Sequence, residues 1–410
     1  MRVDTFVIIF QINTKGIISN WTYSSNLTIL LIGSALISAA LISKYLASKR
    51  RQRFVSQKNS YLETGNICLN IFSETVWITK GQGVHTAFLD SIDLLSGIPN
   101  VTIAVNGNGS GNIFHSHTYG LYYFWQGRNY KGRRILTAHV IPDSSKGALP
   151  FSRFLMPITT WYLKMAYSYA DVIIAISPTV EQTLRDLGVT SKIVQINNPV
   201  LTEKWKRTAQ NRAKGRQKLG IASDEMLVLG VGQLQQRKGV EDFIDVAAVI
   251  SEARFVWIGG RPWGVFTEGI RRINNRIDNA SENISFTGLL EIDEMAQMYA
   301  AADIFLFPSY QENCPLAPLE AAAAGLPVIF RDIKEYTSLY TFPYLKAATN
   351  AEFIAITEHL LADQQYYRSA IQISSNLLKP FDKEKIKYDL IELYRCTLEH
   401  YFEIDAVVTR

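Results

Sequence analysis

Residues 303–330, DIFLFPSYQENCPLAPLEAAAAGLPVIF, contain two short apolar runs separated by a polar loop and an alanine-rich segment. Apolar runs of this length are typical of strands buried on both faces, and the alanines between them predict a helix. Pro315 and Pro318 fit the start of that helix and Gly325 fits its end, because proline is tolerated in a first turn and glycine readily ends a helix. A strand, a helix and a second strand in this order predict a parallel βαβ unit.

The same alternation continues on both sides of this stretch. The other apolar runs that predict buried strands are 66–72, 101–106, 134–140, 171–177, 226–232, 254–260 and 283–288. Residues 197–213 are polar and predict an irregular linker. Strands that alternate with helices form parallel sheets, so we expect an α/β protein with two Rossmann-like domains facing a cleft, 66–200 and 201–382. An amphipathic pattern over 383–404 predicts a long helix within the C-terminal segment 383–410, which we expect to cross back to the first domain.

Composition restricts the kinds of partner. The chain has 410 residues and a formal net charge of +5, which is too small to predict binding to nucleic acid. Its three cysteines are scattered, so they predict a reducing compartment rather than a disulfide framework. The six histidines show no metal-ligand spacing. We therefore predict no bound metal and no cofactor.

An apolar run near the N-terminus predicts a membrane anchor. Residues 27–46, LTILLIGSALISAALISKYL, are long enough to cross roughly 30 Å of bilayer. Lys49, Arg50 and Arg51 follow the run, and basic residues on that side predict that the rest of the chain is cytoplasmic. The alternative is that the N-terminal extension, 1–65, lies outside the working domains.

Two turns lie where helices follow predicted strands, at the sheet edge where ligands bind. Gly81 and Gly83 follow the first strand, and glycines there let backbone N–H groups approach a phosphate. Arg237 and Lys238 follow the first strand of the second domain, and two cations at the start of a helix suit a diphosphate. The alternatives are a structural turn in the first case and a solvated basic turn in the second.

Two acids stand on either side of the start of the alanine-rich helix. Glu312 lies in the preceding loop, where it is suited to bind sugar hydroxyls, and Glu320 lies one turn into the helix, where it is suited to accept from a ribose diol. The loop between them offers backbone N–H groups to an anion, and it contains Asn313, Cys314, Pro315 and Leu316. This combination predicts a nucleotide-sugar site. The alternative is a helix with a charged face.

Histidines end two of the apolar segments in the first domain. His139 closes the run 134–140 and is expected to face the cleft, where we predict a functional role. His115 and His117 end another apolar segment, and their residue types leave a structural role and a functional role equally open.

Several of these segments resemble a known family. GQLQQRKGV (232–240), DVIIAISPTVEQTLRDLGV (171–189) and the stretch 286–329 are similar to the retaining GT-B glycosyltransferases of the GT4 group. In the first half, KGQGVHTAFL (80–89) and TAHVIPDSSKGAL (137–149) resemble the bacterial 1,2-diacylglycerol 3-glucosyltransferases, which make monoglucosyldiacylglycerol for glycolipids and lipoteichoic acid anchors.

The resemblance implies a role for each part of the chain. The first domain would bind the acceptor and the second would bind the donor, a UDP-sugar with UDP-glucose as the implied donor. The implied donor contacts are Gly83 with Arg237 and Lys238 at the diphosphate, Glu320 at the ribose, and the backbone of Thr287, Gly288 and Leu289 at uracil. Glu312 and His139 would contact the transferred sugar near the reacting centre. Many members have Arg directly after the glycine of the basic motif, whereas this chain has Gln233 after Gly232.

The resemblance also implies an activity and a location. It implies metal-independent, retaining transfer of glucose from UDP-glucose to 1,2-diacylglycerol at the cytoplasmic face of the cell membrane, and the chain has no DxD sequence of the metal-dependent kind. Segments 119–134 and 151–170 mix aromatic and basic residues and predict docking on an anionic membrane surface, the alternative being a core-facing helix or a solvated loop. Other donor sugars, phosphatidylinositol or polyprenyl-linked acceptors, and a non-catalytic binding protein remain alternatives.

Overall fold

The computed structural model describes residues 64–78, 83–107, 111–130, 132–145, 152–261 and 269–399. Two six-stranded parallel sheets with helices packed on them form this part of the chain, which confirms the predicted α/β fold. The predicted membrane helix, 27–46, lies outside the described residues. Among the helices that are described, none is both long and apolar enough to cross a membrane.

The first sheet reverses its strand order beside its first strand. Its strands are β1 (Ile67–Phe72), β2 (Val101–Val105), β3 (Ile113–Ser116), β4 (Arg133–Ala138), β5 (Val172–Ala175) and β6 (Lys192–Gln195). They lie in the order β2-β1-β3-β4-β5-β6, so the reversal falls between β1 and β3. The helices of this domain are α1 (Thr75–Ile78), α2 (Gly83–Leu95), α3 (Leu121–Asn129), α4 (Ser152–Ser168) and α5 (Pro178–Asp186), with a 3-10 turn at Pro142–Ser145.

The second sheet has the corresponding reversal between β7 and β10. Its strands are β7 (Met226–Val231), β8 (Ala253–Ile258), β9 (Ile284–Gly288), β10 (Ile304–Phe307), β11 (Val328–Arg331) and β12 (Leu345–Ala347), in the order β12-β11-β10-β7-β8-β9. The helices that follow the first domain are α6 (Thr202–Trp205), α7 (Ala209–Leu219), α8 (Val240–Val249), α9 (Ile270–Asp278), α10 (Ile292–Ala301), α11 (Ala317–Ala323), α12 (Lys334–Leu339), α13 (Asn350–Ala362), α14 (Gln364–Ser375) and α15 (Lys383–Glu399). Two 3-10 turns occur at Gln236–Lys238 and Asn376–Phe381.

Three aromatic side chains pack together in the largely aliphatic core of the second domain, between β7, β8 and α8. Phe243 packs edge-to-face against Phe255 and Trp257, with ring centroids 5.4 and 5.1 Å apart. Gly230 of β7 lies directly under these rings, and a Cβ there would be 2.6 Å from the Trp257 ring. The absence of a side chain at residue 230 therefore lets α8 pack closely on the sheet, which fixes where the turn before α8 lies.

The segment 197–213 is not the irregular linker that its polarity predicts, because α6 lies within it and α7 begins there. Ion pairs replace apolar packing in α7. Asp303, at the start of β10, accepts from Arg207 at 3.2 Å, from Arg212 at 2.9 Å and from Arg216 at 2.6 Å. A helix held by charge has no apolar stripe, so periodicity did not predict it.

The last helix packs on the first domain. The hydroxyl of Tyr394, on α15, lies 2.7 Å from Nδ1 of His115, on β3, and both side chains are buried. Asn197 also donates to the carbonyl of Pro380 at 3.1 Å. The segment after the second sheet therefore contributes to the packing of the first.

Candidate active site

The loops after β7 and β10 meet at the reversal of the second sheet, where open α/β sheets bind ligands. Lys238 follows β7 and Glu312 follows β10, and their side chains form a salt bridge. Ser309 Oγ donates to the same carboxylate oxygen, Oε1, at 2.6 Å. The structure thus joins the predicted cation and the predicted acid directly. Ser309, which sequence reasoning did not select, bonds the same acid through its hydroxyl.

Backbone contacts hold these two loops against each other. Tyr310 N donates to the carbonyl of Arg237 at 2.8 Å, and Ser309 Oγ lies 3.1 Å from the same carbonyl oxygen. Gly239 has φ +71°, and a Cβ at this position would lie 2.2 Å from the carbonyl oxygen of Pro308. Glycine is required there both by the left-handed conformation and by the close approach of the second loop.

Both cations of the basic turn are partly buried. Burial lowers the pKa of Arg237, and burial also lowers the pKa of Lys238, an effect that the Glu312 carboxylate partly offsets. Arg237 Nε donates to Gln235 at 2.9 Å, which directs the guanidinium along the loop. Fixed charges in a poorly hydrated site interact strongly with a charge that develops beside them.

Glu320 is a buried acid in the first turn of α11. Tyr299 Oη donates to Glu320 Oε2 at 2.7 Å, and the Tyr299 ring packs edge-to-face on Trp205. Burial raises the pKa of Glu320 to about 7, the Tyr299 hydrogen bond lowers it, and the charge of Asp90 raises it further. The second carboxylate oxygen, Oε1, remains for another hydrogen bond. Gly325 has φ +79° after the helix, as predicted.

The loop between the two acids reaches the first domain. Asn313 Nδ2 donates to the carbonyl of His139 at 2.8 Å and to Ser144 Oγ at 2.9 Å. Cys314 and Leu316 are buried, and burial raises the pKa of the Cys314 thiol to about 12. Pro315 lies between them and has no N–H to offer. The side chain of Asn313 therefore joins the domains, while the predicted anion contacts concern its backbone.

The residues predicted to read a base lie at the end of β9. Gly288 has φ +75°, Leu289 is exposed, and Thr287 Oγ1 donates to the carbonyl of Gly288. Beside them, Gly259 N donates to the same carbonyl at 3.0 Å, and a Cβ on Gly259 would lie 1.8 Å from the Gly232 oxygen. Backbone hydrogen bonds and close backbone contacts thus hold this edge of the sheet, and its contact with a base stays a prediction.

Three histidines converge at the carboxyl ends of β3 and β4 in the first sheet. His117 Nδ1 lies 3.1 Å from His139 Nε2 and the rings stack, while the ring of His115 lies 4.8 Å from that of His117. All three are buried, and burial lowers the pKa of His115 and of His139 to about 3 and that of His117 well below its ordinary value. The cluster is therefore neutral at physiological pH.

The glycine turn of the first domain is only partly within the described residues. Gly83 is exposed and is the first residue of α2, as predicted, whereas Gly81 lies outside the described residues. Glu74, which sequence reasoning missed, lies just after β1 and accepts from the N–H groups of Gly120 at 2.8 Å and Tyr122 at 2.9 Å. It thereby fixes the start of α3, and its place directly after a buried strand was the available signal.

Segment 119–134 presents aromatic rings at the surface but fewer charges than predicted. Trp125 and Trp77 are 54% and 57% exposed, and both rings pack edge-to-face on Tyr122. Arg133 and Arg134 are buried instead of facing a membrane, with Arg134 stacked 3.9 Å from the Tyr169 ring centre. Both arginines lie in β4, which begins at Arg133. The sequence pattern predicted that this strand begins one residue later, at Arg134.

Segment 151–170 forms α4 over most of its length and has an exposed face. Ile158 and Trp161 are 43% and 46% exposed, and Lys164 is exposed beside them. The opposite face is buried, with Tyr162 donating to the carbonyl of Tyr119 at 2.6 Å. This helix therefore carries apolar side chains on its exposed face as well as on its buried face.

Comparison with known proteins gives matches along most of the chain. The family of glycosyl transferases group 1 matches residues 225–363, and glycosyltransferase family 4 matches residues 111–204. The chain is 27% identical to the alpha-galactosylglucosyldiacylglycerol synthase of Streptococcus pneumoniae, over 81% of this chain and 90% of that protein. The chain belongs to the GT4 group of GT-B glycosyltransferases. The processive diacylglycerol alpha-glucosyltransferase of Acholeplasma laidlawii is also 27% identical to this GT4 chain, over 64% of it and 78% of the relative.

Solved structures show the same fold at lower identity. Anabaena HepE, solved in complex with UDP-glucose, superposes with a TM-score of 0.65 over 80% of this GT4 chain and 99% of HepE, at 14% identity. Sucrose-phosphate synthase from Thermosynechococcus elongatus superposes with a TM-score of 0.58 at 23% identity, over 70% of this chain and 73% of the synthase. The pair of Rossmann-like sheets is thus the GT-B arrangement.

Proposed function

We propose that this GT4-group protein transfers glucose from UDP-glucose to the hydroxyl of 1,2-diacylglycerol with retention of the anomeric configuration. A glycosidic bond forms between the anomeric carbon and the acceptor oxygen, the bond to UDP breaks, and the hydroxyl proton leaves with the phosphate. The product is monoglucosyldiacylglycerol, a precursor for glycolipids or lipoteichoic acid anchors.

The observation that carries the donor half of this proposal is the joined pair of loops at the reversal of the second sheet. Lys238, Glu312 and Ser309 form one hydrogen-bonded group, and Glu320 lies one turn into the following helix. The cations would stabilise the charge on departing UDP without a metal. Glu320 Oε1 would accept from the ribose, while Glu312 holds both Lys238 and a sugar hydroxyl.

The acceptor half rests on the first domain and on the named relatives. Two relatives that align with most of this chain are named for diacylglycerol glycolipids. The exposed rings of Trp77, Trp125 and Trp161 suit the boundary between headgroups and acyl chains, where amphipathic aromatic rings are stable. We propose that these rings dock at the cytoplasmic face of the membrane.

A second candidate differs in sugar and acceptor. The pneumococcal relative is named for a product that contains galactose and glucose on diacylglycerol. The same site would then transfer galactose to a glucosyldiacylglycerol. The donor residues would act in the same way, because the fold does not determine which sugar is transferred.

One assay separates these proposals. The full-length protein is supplied with UDP-glucose or UDP-galactose and with vesicles that contain diacylglycerol, glucosyldiacylglycerol or phosphatidylinositol. We expect glucose transfer to diacylglycerol, with the α-linkage identified by NMR. Galactose transfer to glucosyldiacylglycerol alone would establish the second candidate, and UDP-sugar binding without transfer to any lipid would indicate a binding protein.

Substitutions make the assay specific to the proposed site. Lys238→Ala and Glu320→Gln are expected to lower donor affinity and turnover, whereas Lys385→Ala, on an exposed part of α15, serves as the matched control. Unchanged donor binding in both site variants would refute the assigned donor site. Activity that survives treatment with EDTA would support the metal-independent mechanism.

A further inference from the structure

His117 is a buried histidine for which the proposed reaction has no role. Its ring is 3% exposed, packs edge-to-face on Phe88 and stacks on His139. Nδ1 of His117 lies 3.1 Å from Nε2 of His139. Nε2 of His117 is fully buried and has no hydrogen-bond partner among the described residues. A buried ring with one nitrogen used and one unpaired calls for a physical reason.

One proton lies in the contact between Nδ1 of His117 and Nε2 of His139. A neutral imidazole has one N–H donor and one bare acceptor nitrogen, so exactly two arrangements of the pair are consistent with the short contact. In the first, His117 donates from Nδ1 and keeps a bare Nε2. In the second, His139 donates from Nε2, and the proton of His117 must then stand on its own Nε2.

The unpartnered Nε2 of His117 distinguishes between these two arrangements. In the second, His117 would bury an N–H group without an acceptor, whereas the first leaves only an unused lone pair. Buried N–H groups without a partner are rarer than acceptors that lack one. Burial lowers the pKa of all three histidines and so also disfavours a third arrangement with a charged ring. The first arrangement is therefore favoured.

The arrangement determines what His139 offers to a ligand. With Nε2 accepting from His117, the proton of His139 stands on Nδ1. Nδ1 makes no hydrogen bond to the described residues and is not among their fully buried unpartnered atoms, so its N–H is left for a ligand. The backbone of His139 is held by Asn313, so both the ring and the main chain are fixed.

We infer that His117 is a positioning residue, which donates from Nδ1 to Nε2 of His139 and thereby directs the N–H of His139 Nδ1 at an oxygen of the transferred sugar. This inference rests on the proposed function, because it deepens the role of the same site. His117 itself touches no substrate. The neighbouring His115 is satisfied by Tyr394 on one nitrogen and by Thr137 on the other, at 2.7 and 2.8 Å, so it packs against the pair without changing its proton.

The tautomers can be observed without any substrate. The full-length protein is labelled with ¹⁵N-histidine in detergent micelles, and long-range ¹H–¹⁵N correlation distinguishes protonated from bare ring nitrogens. Only six histidines contribute signals, and single substitutions assign them. We expect His139 to be protonated on Nδ1 and bare on Nε2. A proton on Nε2 of His139 overturns the inference whether or not the protein turns over a sugar.

Three variants test the consequence for catalysis. His117→Phe keeps the volume but removes the donor, and we expect kcat to fall about 10- to 100-fold with little change in the KM for donor, the usual effect of losing a partner that orients an imidazole. His117→Asn places an amide N–H near the position of Nδ1 and should recover most of kcat. His359→Gln, on an exposed residue of α13, is the control.

The outcomes separate this inference from the proposed function. Wild-type kcat in a folded His117→Phe variant, or equal losses in the Phe and Asn variants, would refute the positioning role. If His117→Phe does not fold, the Asn variant and the wild-type spectrum still decide. Absence of transfer by the wild type, with His139 protonated on Nδ1, would contradict the proposed function and leave the proton assignment supported.

Discussion

Asn313 of the second domain donates a hydrogen bond to the backbone carbonyl of His139 in the first, with Nδ2 and O 2.8 Å apart. The same amide nitrogen donates to Ser144 Oγ at 2.9 Å. The loop that follows β10 is thus tied to the loop that follows β4, so the two predicted halves of the site are joined by one side chain.

Removing the Asn313 side chain should lower catalytic efficiency. We expect Asn313→Ala to lower kcat/KM roughly 10-fold, because it removes the hydrogen bond to the His139 carbonyl, worth about 1–1.5 kcal/mol, that positions His139. Steady-state kinetics on vesicles measures the effect. Asn279→Ala, which removes an exposed side chain bonded only within its own helix, should keep wild-type kinetics. Equal kinetics in both variants would show that the bridge does not position the site.

The salt bridge between Lys238 and Glu312 should show strong coupling. Each partner is mostly buried, at 15% and 8% side-chain exposure. Lys238→Met and Glu312→Gln should each destabilise the protein, since either leaves a buried charge or acceptor unpaired, and the double variant should recover part of the loss. A thermal double-mutant cycle is expected to give a coupling of about 1–3 kcal/mol.

An exposed ion pair supplies the comparison for that cycle. Lys385 and Asp389 are 2.7 Å apart on the surface of α15. Their cycle should give about 0.3–0.5 kcal/mol, the usual value for such pairs. A coupling between Lys238 and Glu312 as small as this would mean that solvent screens the site.

Glu320 should make stability depend on pH. Its folded pKa, about 7, lies above the ordinary value of 4.5, so the fold favours the protonated acid. The contribution to stability is fully present below about pH 4.5 and is lost as the pH rises towards about 7. Relative to Glu320→Gln, the wild type should lose roughly 2–3 kcal/mol over that window. Melting temperatures at pH 4.5 to 8 test this, and parallel curves for the two proteins would contradict it.

Gly239 should tolerate no side chain. Gly239→Ala would direct a Cβ at the carbonyl oxygen of Pro308, 2.2 Å away in the present backbone. Gly220 is a matched control, because it has a similar φ of +64° but nothing within 4 Å of a Cβ. We expect Gly239→Ala to cost at least about 2 kcal/mol more than Gly220→Ala, as close contacts with backbone do. Similar melting temperatures for the two variants would show that the loop after β10 moves readily to accommodate the added Cβ.

The surface tryptophans should affect the acceptor and leave the donor unaffected. We expect Trp77→Ser combined with Trp125→Ser to raise the apparent KM for diacylglycerol in vesicles several-fold, because exposed rings bury apolar area in the interface. Turnover of a short-chain, water-soluble diacylglycerol should be unchanged. The opposite pattern would place the rings at the reaction centre instead of at the membrane.

Sequence reasoning located the parts of the site that follow regular strands. Lys238, Glu312 and Glu320 lie near strand ends that continuous apolar runs reveal, so the sheet edge could be predicted together with its loops. It missed β3, β6 and β12, which have three or four residues each, and β3 contains the polar residues His115 and Ser116.

The contacts between distant parts of the chain were not predictable in the same way. Tyr299 stands on α10 and bonds Glu320 on α11, and nothing in the spacing of the two residues indicates a pair. Arg133 and Arg134 looked like surface charges because the pattern shows residue type but not the Tyr169 ring that covers Arg134. Whether such a side chain is buried depends on tertiary packing, and the formation of α7 likewise depends on its ion pairs with Asp303.

The bond between His115 and Tyr394 has a consequence for the order in which the protein forms. The two residues are separated by 279 positions. At about 5–20 residues per second, a ribosome needs roughly 15–60 s to go from one to the other. The first sheet can form during that interval, but its histidine cluster lacks the hydroxyl that completes it. Each newly made molecule should therefore complete its buried histidine cluster only after α15 emerges and docks, even where its first sheet has formed earlier.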